Sequence, residues 1–258
     1  MSSAPSPRRR ADLLLVERGI FESRARAQAA IAAGGVTADG VVVARASDML
    51  AGGAEIVAAP AHPYVSRGGV KLAHALDAFG VDVEGRHALD VGASTGGFTE
   101  VLLARGAAHV TAVDVGRGQL HPSLHGHPRL LSLEGVDIRA LPASALPRPP
   151  EIVTMDVSFA PLGVTLPPAL ALAGPSATLV ALVKPQFEAG RKDIGKGGVV
   201  KDEAVRARVV EGAEALVRSL GMRVLGTVPS PIAGGDGNVE YLLVARRDDG
   251  SADAGEAA

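Results

Sequence analysis

The sequence contains no cysteine, and aromatic residues make up only 3% of it. Without cysteine there can be neither disulfides nor thiolate metal sites, so nothing argues for secretion and the cytoplasm is the default compartment. With so few aromatics the core has to be aliphatic, and 47% hydrophobic against 21% charged residues describes a soluble globular protein of one large or two modest domains. Long apolar runs are missing too. Leu13–Val16 is cut by Glu17-Arg18, too short for a signal peptide despite the preceding Arg8-Arg9-Arg10, and later runs are interrupted by Gly174-Pro175 or by charges. No membrane span is therefore expected. A net charge of −2 gives no overall basic character, so any nucleic-acid signal must be local. Residues 8–26 hold six Arg against three acids, and residues 184–201 hold five Lys or Arg against two acids. Either run alone reads as a solvated face; two in different domains tilt modestly toward a polyanionic partner.

The chain is organised around Ala88-Leu-Asp-Val-Gly-Ala-Ser-Thr-Gly-Gly-Phe-Thr-Glu100, an apolar run ending in an acid and then a glycine-rich turn. It reads as a buried strand feeding a helix over 98–105, the place where α/β proteins hold nucleotides. A dinucleotide fingerprint needs G-x-G-x-x-G, whereas the spacing here is Gly92-x-x-x-Gly96-Gly97. An acid at Asp90 disfavours a pyrophosphate and suits a cationic ligand such as S-adenosylmethionine. A second strand, His109–Asp114, ends in an acid 24 residues later, where a ribose-binding carboxylate is expected.

Residues 1–9 read as a disordered leader, with order beginning near Ala11. A short helix over 11–18 precedes a second over 24–33, capped by Ser23 and ended by Gly34-Gly35. Asp39-Gly40 joins two β runs as a tight hairpin, and a strand over 55–58 completes a unit spanning 10–59. Two prolines in Pro60-Ala-His-Pro63 mark a linker, 60–65. An amphipathic helix then starts at Val70, with Leu72, Leu76 and Phe79 on its stripe and Lys71 at the border, where a lysine ordinarily snorkels out of a core.

From residue 86 strands and helices alternate, with strands expected over 88–91, 110–115, 130–133, 152–156 and 178–183. This implies a parallel sheet covered on both faces, and the runs 222–228 and 239–245 should pair as an antiparallel hairpin. The fold class is thus α/β, a Rossmann-like, mostly parallel seven-stranded sheet over 66–247 behind a small α+β domain, with residues 248–258 read as a disordered acidic tail. Asp90, Asp114, Asp156 and Lys184 all stand at strand carboxyl ends and should face one crevice, with Glu240 near the start of the last strand as a further candidate. His121, His125 and His127 lie among Pro122, Gly126 and Pro128 without accompanying carboxylates, and no metal is expected there.

Two resemblances extend this reading. Leu-Val-Glu-Arg-Gly-Ile-Phe-Glu-Ser-Arg-Ala-Arg-Ala-Gln (15–28) and Gly-Gly-Val-Thr-Ala-Asp-Gly (34–40) resemble the RNA-binding domain named after the fourth small-subunit ribosomal protein, which implies phosphate contacts at Arg18, Arg24, Arg26 and less surely Arg45. The remainder resembles the FtsJ-like ribose 2′-O-methyltransferases, specifically the TlyA family, through Val-Ser-Arg-Gly-Gly-Val-Lys, Asp-Val-Gly-Ala-Ser-Thr-Gly-Gly-Phe-Thr-Glu, Asp-Val-Gly-Arg-Gly-Gln-Leu, Met-Asp-Val-Ser-Phe, Leu-Val-Lys-Pro-Gln-Phe-Glu and Gly-Asn-Val-Glu-Tyr.

That resemblance implies a catalytic tetrad of Lys71, Asp156, Lys184 and Glu240, which displaces the snorkelling reading of Lys71. It implies S-adenosylmethionine as cofactor and ribosomal RNA, commonly at cytidine, as substrate. The cofactor would be held by Asp90, Gly92, Ala93, Ser94, Gly96, Asp114 and Asp137, and RNA would also meet Arg67 and the basic stretch with Arg191, Lys192 and Lys196. Older usage calls some members haemolysins. One branch carries Arg-Ala-Trp-Val between its domains where this chain has His62-Pro63-Tyr64-Val65. Two other classes are weighed against this one. A nicotinamide oxidoreductase is disfavoured by the glycine spacing, and a non-enzymatic RNA-binding or membrane-active role does not require the tetrad.

Overall fold

A computed structural model describes residues 7–234 and 237–247. The expected tail and the first six residues of the expected leader lie outside them. The chain divides into two compact units between Pro63 and Tyr64. The first runs β1 (Arg8–Arg10), α1 (Ala11–Glu17), α2 (Arg24–Ala32), β2 (Val36–Ala38), β3 (Val41–Val42), β4 (Met49–Ala51) and β5 (Ile56–Ala58). Ser23 caps α2, its hydroxyl accepting from the Arg26 amide at 3.3 Å. Asp39 and Gly40 adopt φ of 50° and 76°, the paired positive values that a two-residue hairpin between β2 and β3 requires. β5 pairs with the other edge of β2, and Leu15, Phe21, Ala27, Ala30, Ile31 and Val36 close a small core beneath.

One expectation is corrected in this unit. Arg8 and Arg9 belong not to a leader but to β1, antiparallel to β4. The partner lies about forty positions away, beyond the reach of local composition, and the Arg8 guanidinium adds a bond of 2.6 Å to the Met49 carbonyl.

The second unit opens with α3 (Arg67–Phe79) and continues β6 (His87–Val91), α4 (Gly97–Ala104), β7 (His109–Asp114), β8 (Leu130–Glu134), β9 (Ile152–Met155), α5 (Leu162–Ala171), β10 (Thr178–Val183), α6 (Pro185–Glu188), α7 (Glu203–Ser219), β11 (Arg223–Pro229) and β12 (Tyr241–Arg246). The seven strands lie in the order β11-β12-β10-β9-β6-β7-β8. β6 to β10 are mutually parallel where they pair, and β12 is antiparallel to both β10 and β11.

The expected hairpin therefore forms, with the later strand on the inside. Alternate residues of the central strands feed two cores. Val180, Leu182, Leu242 and Val244 face α3 and α4, while Leu179, Ala181, Leu243 and Ala245 face α5 and α7. Tyr64 and Val65, expected as linker, fall in this second unit. The Val65 amide donates to Glu100 on α4 at 2.6 Å, a bond that fixes the chain before α3 even begins.

Candidate active site

The glycine turn after β6 crosses the carboxyl ends of the parallel strands. Gly92 has a φ of 82°, and a Cβ there would lie 2.5 Å from the Asp156 carbonyl, so only glycine lets the turn cross so close to the end of β9. Asp114, at the end of β7, accepts from the Ser94 amide at 2.8 Å and the Gly116 amide at 2.7 Å, tying the turn to its neighbouring strand. Two cavities adjoin this turn and share Gly92, Ser94, Asp156 and Ser158 as walls. The larger, about 620 Å³, is walled by Val115, Val136, Ile138 and Val157, with the carboxylates of Asp114 and Asp137. The smaller, about 170 Å³, is lined by Ser66, Ala93, Thr95 and Lys184 among others.

Asp90 is placed differently from the expectation. Its side chain is fully buried beneath the turn and lines neither cavity, with Thr99 donating to one oxygen at 2.6 Å and Thr154 to the other at 2.9 Å. Burial pushes its carboxyl up to about 6 against the lowering effect of both threonines. Asp90 therefore braces β6, β9 and α4 from beneath the turn. Gly96 is likewise behind the turn, against Leu120 and Leu124. Asp137 does line the larger cavity, gripped by the guanidinium of Arg139, whose hydrogen bonds lower its carboxyl to about 2.

The four tetrad residues resolve into two ion pairs. Lys71 on α3 donates to Glu240 at 2.5 Å, both side chains buried. The Lys184 ammonium, just past β10, lies 2.6 Å from Asp156 and donates to the Ser158 hydroxyl at 2.9 Å, also passing 5.9 Å from the Phe187 ring centre. Burial of like and unlike charges together is tolerated because each cation has its own anion. Gln186 reaches Glu240 at 3.5 Å. Beside them Phe159 is 91% exposed at a φ of 65°, a conformation strained for phenylalanine, with its ring 5.1 Å from Phe187. Ser158, Phe159 and Gln186 were missed by pattern reading. Their only signal was adjacency to Asp156 and Lys184.

The basic residues divide by what already holds them. Arg18 donates to the carbonyls of Gly52 and Ala54, and Arg24 joins Arg10 and Gln28 on the buried Asp12, at 2.8 to 3.3 Å for Arg24. Arg26 pairs with Glu22 at 3.4 Å and Arg45 with Asp48 at 3.2 Å. Arg67 donates to the Ala233 carbonyl and so ties α3 to the segment before Glu240. Arg191, Lys192 and Lys196 are exposed on the loop between α6 and α7. Among the described residues there is no cluster of three metal-ligating side chains, and no helix is long and apolar enough to cross a membrane.

A mostly parallel sheet with a glycine turn, paired lysines and acids, and a small arginine-bearing domain define a class. Residues 64–247 match the FtsJ-like methyltransferase family and residues 9–56 the S4 domain, so the chain is an FtsJ-like methyltransferase bearing an S4 domain. Within that class it belongs to the TlyA family. It is 45% identical over 240 residues to the 16S/23S rRNA (cytidine-2′-O)-methyltransferase TlyA of Mycobacterium tuberculosis, covering 92% of this chain and 89% of that one. It is 36% identical to Hemolysin A of Brachyspira hyodysenteriae, over 90% of this chain and 98% of that one. A solved structure from Streptococcus thermophilus, described as a candidate hemolysin, is 38% identical with a TM-score of 0.74 and covers 94% and 90% of the two chains.

Proposed function

We propose that this methyltransferase moves a methyl group from S-adenosylmethionine to the ribose 2′-hydroxyl of a cytidine in ribosomal RNA, acting in the cytoplasm on RNA or assembled subunits. The observation that carries the reading is the position of Lys184, its ammonium held between Asp156 and Ser158 and facing a small cavity continuous in its walls with a large one. The residues present suit the cofactor. Asp114 and Asp137 can receive ribose hydroxyls and an adenine amino group between the apolar walls of the larger cavity, while Gly92, Ala93 and Ser94 line the polar one for the methionyl part. When bound, that group supplies an electrophilic methyl on a sulfonium centre.

A ribose hydroxyl is a weak acid, so its attack benefits from loss of its proton to a positioned base. Lys184, once its ammonium has given up a proton to solvent, takes the hydroxyl proton as the free amine, and Asp156 orients the ammonium that forms. Lys71 and Glu240, a buried pair that borders neither cavity, hold α3 against the segment entering β12, and a site kept in alignment contributes much of the acceleration. Phe159 offers an exposed ring on which an unstacked base can lie. Arg191, Lys192 and Lys196 grip phosphates in this reading, as do the S4 arginines.

The test is Lys184→Ala, assayed for tritium transfer to ribosomal RNA and, by calorimetry, for cofactor affinity. Turnover is expected to vanish with the affinity nearly unchanged; substantial residual methylation would remove Lys184 as the base.

A further inference from the structure

Asn238 takes no part in the reaction described above, yet it is among the most completely committed polar side chains in the second unit. Its side chain lies in a residue only 1% exposed, and both ends of its amide are spent on the backbone of one loop. Nδ2 donates to the Gly198 carbonyl at 3.0 Å and Oδ1 accepts from the Val200 amide at 3.0 Å. Reversing the amide would set donor against donor and acceptor against acceptor, so its orientation is determined. The Asn238 carbonyl in turn accepts from the Gly234 amide at 2.8 Å, two residues ahead of Glu240. Gly234 lies directly against the carboxylate, since a Cβ there would fall 2.5 Å from Glu240 Oε1.

The loop that Asn238 holds is the basic one. Its tip is closed by the Gly195 amide donating to the Val199 carbonyl at 3.0 Å and the Gly198 amide to the Gly195 carbonyl at 3.1 Å, which leaves Lys196 exposed at the apex. Its far end is pinned to α7 by Arg206, which donates to the Lys201 carbonyl at 2.7 Å. One buried amide thus joins the segment that presents Lys196 to the segment that presents Glu240.

We infer that Asn238 is a positioning residue that couples engagement of RNA phosphate at the Lys196 loop to the placement of Glu240, and through it of Lys71. The inference rests on the ribose-methylation reading for its purpose, though the coupling is a property of the chain itself. RNA pressing on the loop can shift the Glu240 segment only through a connection stiff enough to transmit it, and a fully bonded buried amide is one. Without it, the loop and the Glu240 segment move independently, and the pair that Glu240 makes with Lys71 is misplaced.

Two measurements on the full chain test this. The first is hydrogen exchange with a ribosomal RNA fragment. In the wild type, RNA should slow exchange both in 195–200 and in 238–242, and in Asn238→Ala it should slow the first segment alone. The second is a kinetic cycle with Lys196→Glu. Asn238→Ala should lower kcat about 10- to 100-fold with cofactor affinity and KM for RNA little changed. Lys196→Glu should lower kcat and raise KM in the wild type but raise KM alone in the Asn238→Ala background.

Additive effects on kcat, or RNA protection of 238–242 that survives in Asn238→Ala, would overturn the coupling. So would wild-type protein in which RNA protects the loop and leaves 238–242 untouched. Asn238→Asp keeps the volume and the acceptor but drops the donor to Gly198, and it should show a smaller loss in the same direction if the alanine variant does not fold. Coupled protection in a wild type that methylates no ribose would sink the functional reading while leaving the coupling intact.

Discussion

Lys71 and Glu240 stand 169 positions apart in the chain and meet at 2.5 Å, joining the first helix of the methyltransferase unit to the residue just before β12. Removing one partner leaves the other as a buried charge without a counter-ion. Glu240→Gln is therefore expected to destabilise the unit by about 3–5 kcal/mol, measured by urea unfolding. The double variant Lys71→Met with Glu240→Gln should regain most of that loss and still fail to methylate, which separates the fold's need of the pair from the reaction's.

Asp90 makes stability depend on pH with a sign opposite to that of most carboxylates. Its folded value of about 6 lies above its ordinary one of 3.8, so the folded state binds more protons between them. Its contribution should be full below pH 4, fall by up to roughly 3 kcal/mol as the pH rises toward 6, and then level off. Asp90→Asn should flatten that stretch of the curve in thermal melts taken at successive pH values. An unchanged slope would mean that the carboxyl titrates normally.

Asp12 works the other way in the S4 unit. Fully buried, it accepts from Arg10, Arg24 and Gln28, and the Arg10 hydrogen bonds hold its carboxyl far below the ordinary range. Its contribution is present above about pH 4 and lost as the pH falls further. Asp12→Asn should cost roughly 1.5–3 kcal/mol at pH 7, read from the melting of the first unit, and should loosen two guanidinium groups that it now orients. RNA binding by the variant should weaken, with an altered salt dependence.

Phe159→Ala should reduce RNA affinity by about 5- to 150-fold, the range expected for losing one base-stacking surface, with cofactor binding unchanged. Phe159→Gly relieves the strained φ of 65° while removing the same ring. If the two variants bind RNA equally weakly, the ring is what matters; if only the glycine variant is impaired, the backbone conformation is.

Much of the second unit was legible because a parallel sheet buried on both faces writes each strand as an apolar run. Thr178–Val183 is such a run, and its bounds match the observed strand. Lys184 and Asp156 could be placed at one crevice because both directly follow strands of the same sheet. β1 could not be read, because three consecutive arginines carry no strand pattern and their partner β4 is distant in sequence. The burial of Asp90 could not be read for a related reason. Two threonines, at 99 and 154, satisfy its carboxylate from different elements, and no local pattern announces that they converge. Lys71 shows the limit from the other side, since a lysine at the edge of an apolar stripe looks the same whether it reaches solvent or a glutamate remote in sequence.

The place of β12 between β10 and β11 has a bearing on how the protein is made. The polypeptide emerges with β10 and β11 first, and for that interval β11 has no neighbour in the sheet. The strand that Glu240 precedes is both the last to appear and the one that closes the gap. A nascent chain can thus have its glycine turn and Lys184 in place while Lys71 still lacks the carboxylate that pairs with it.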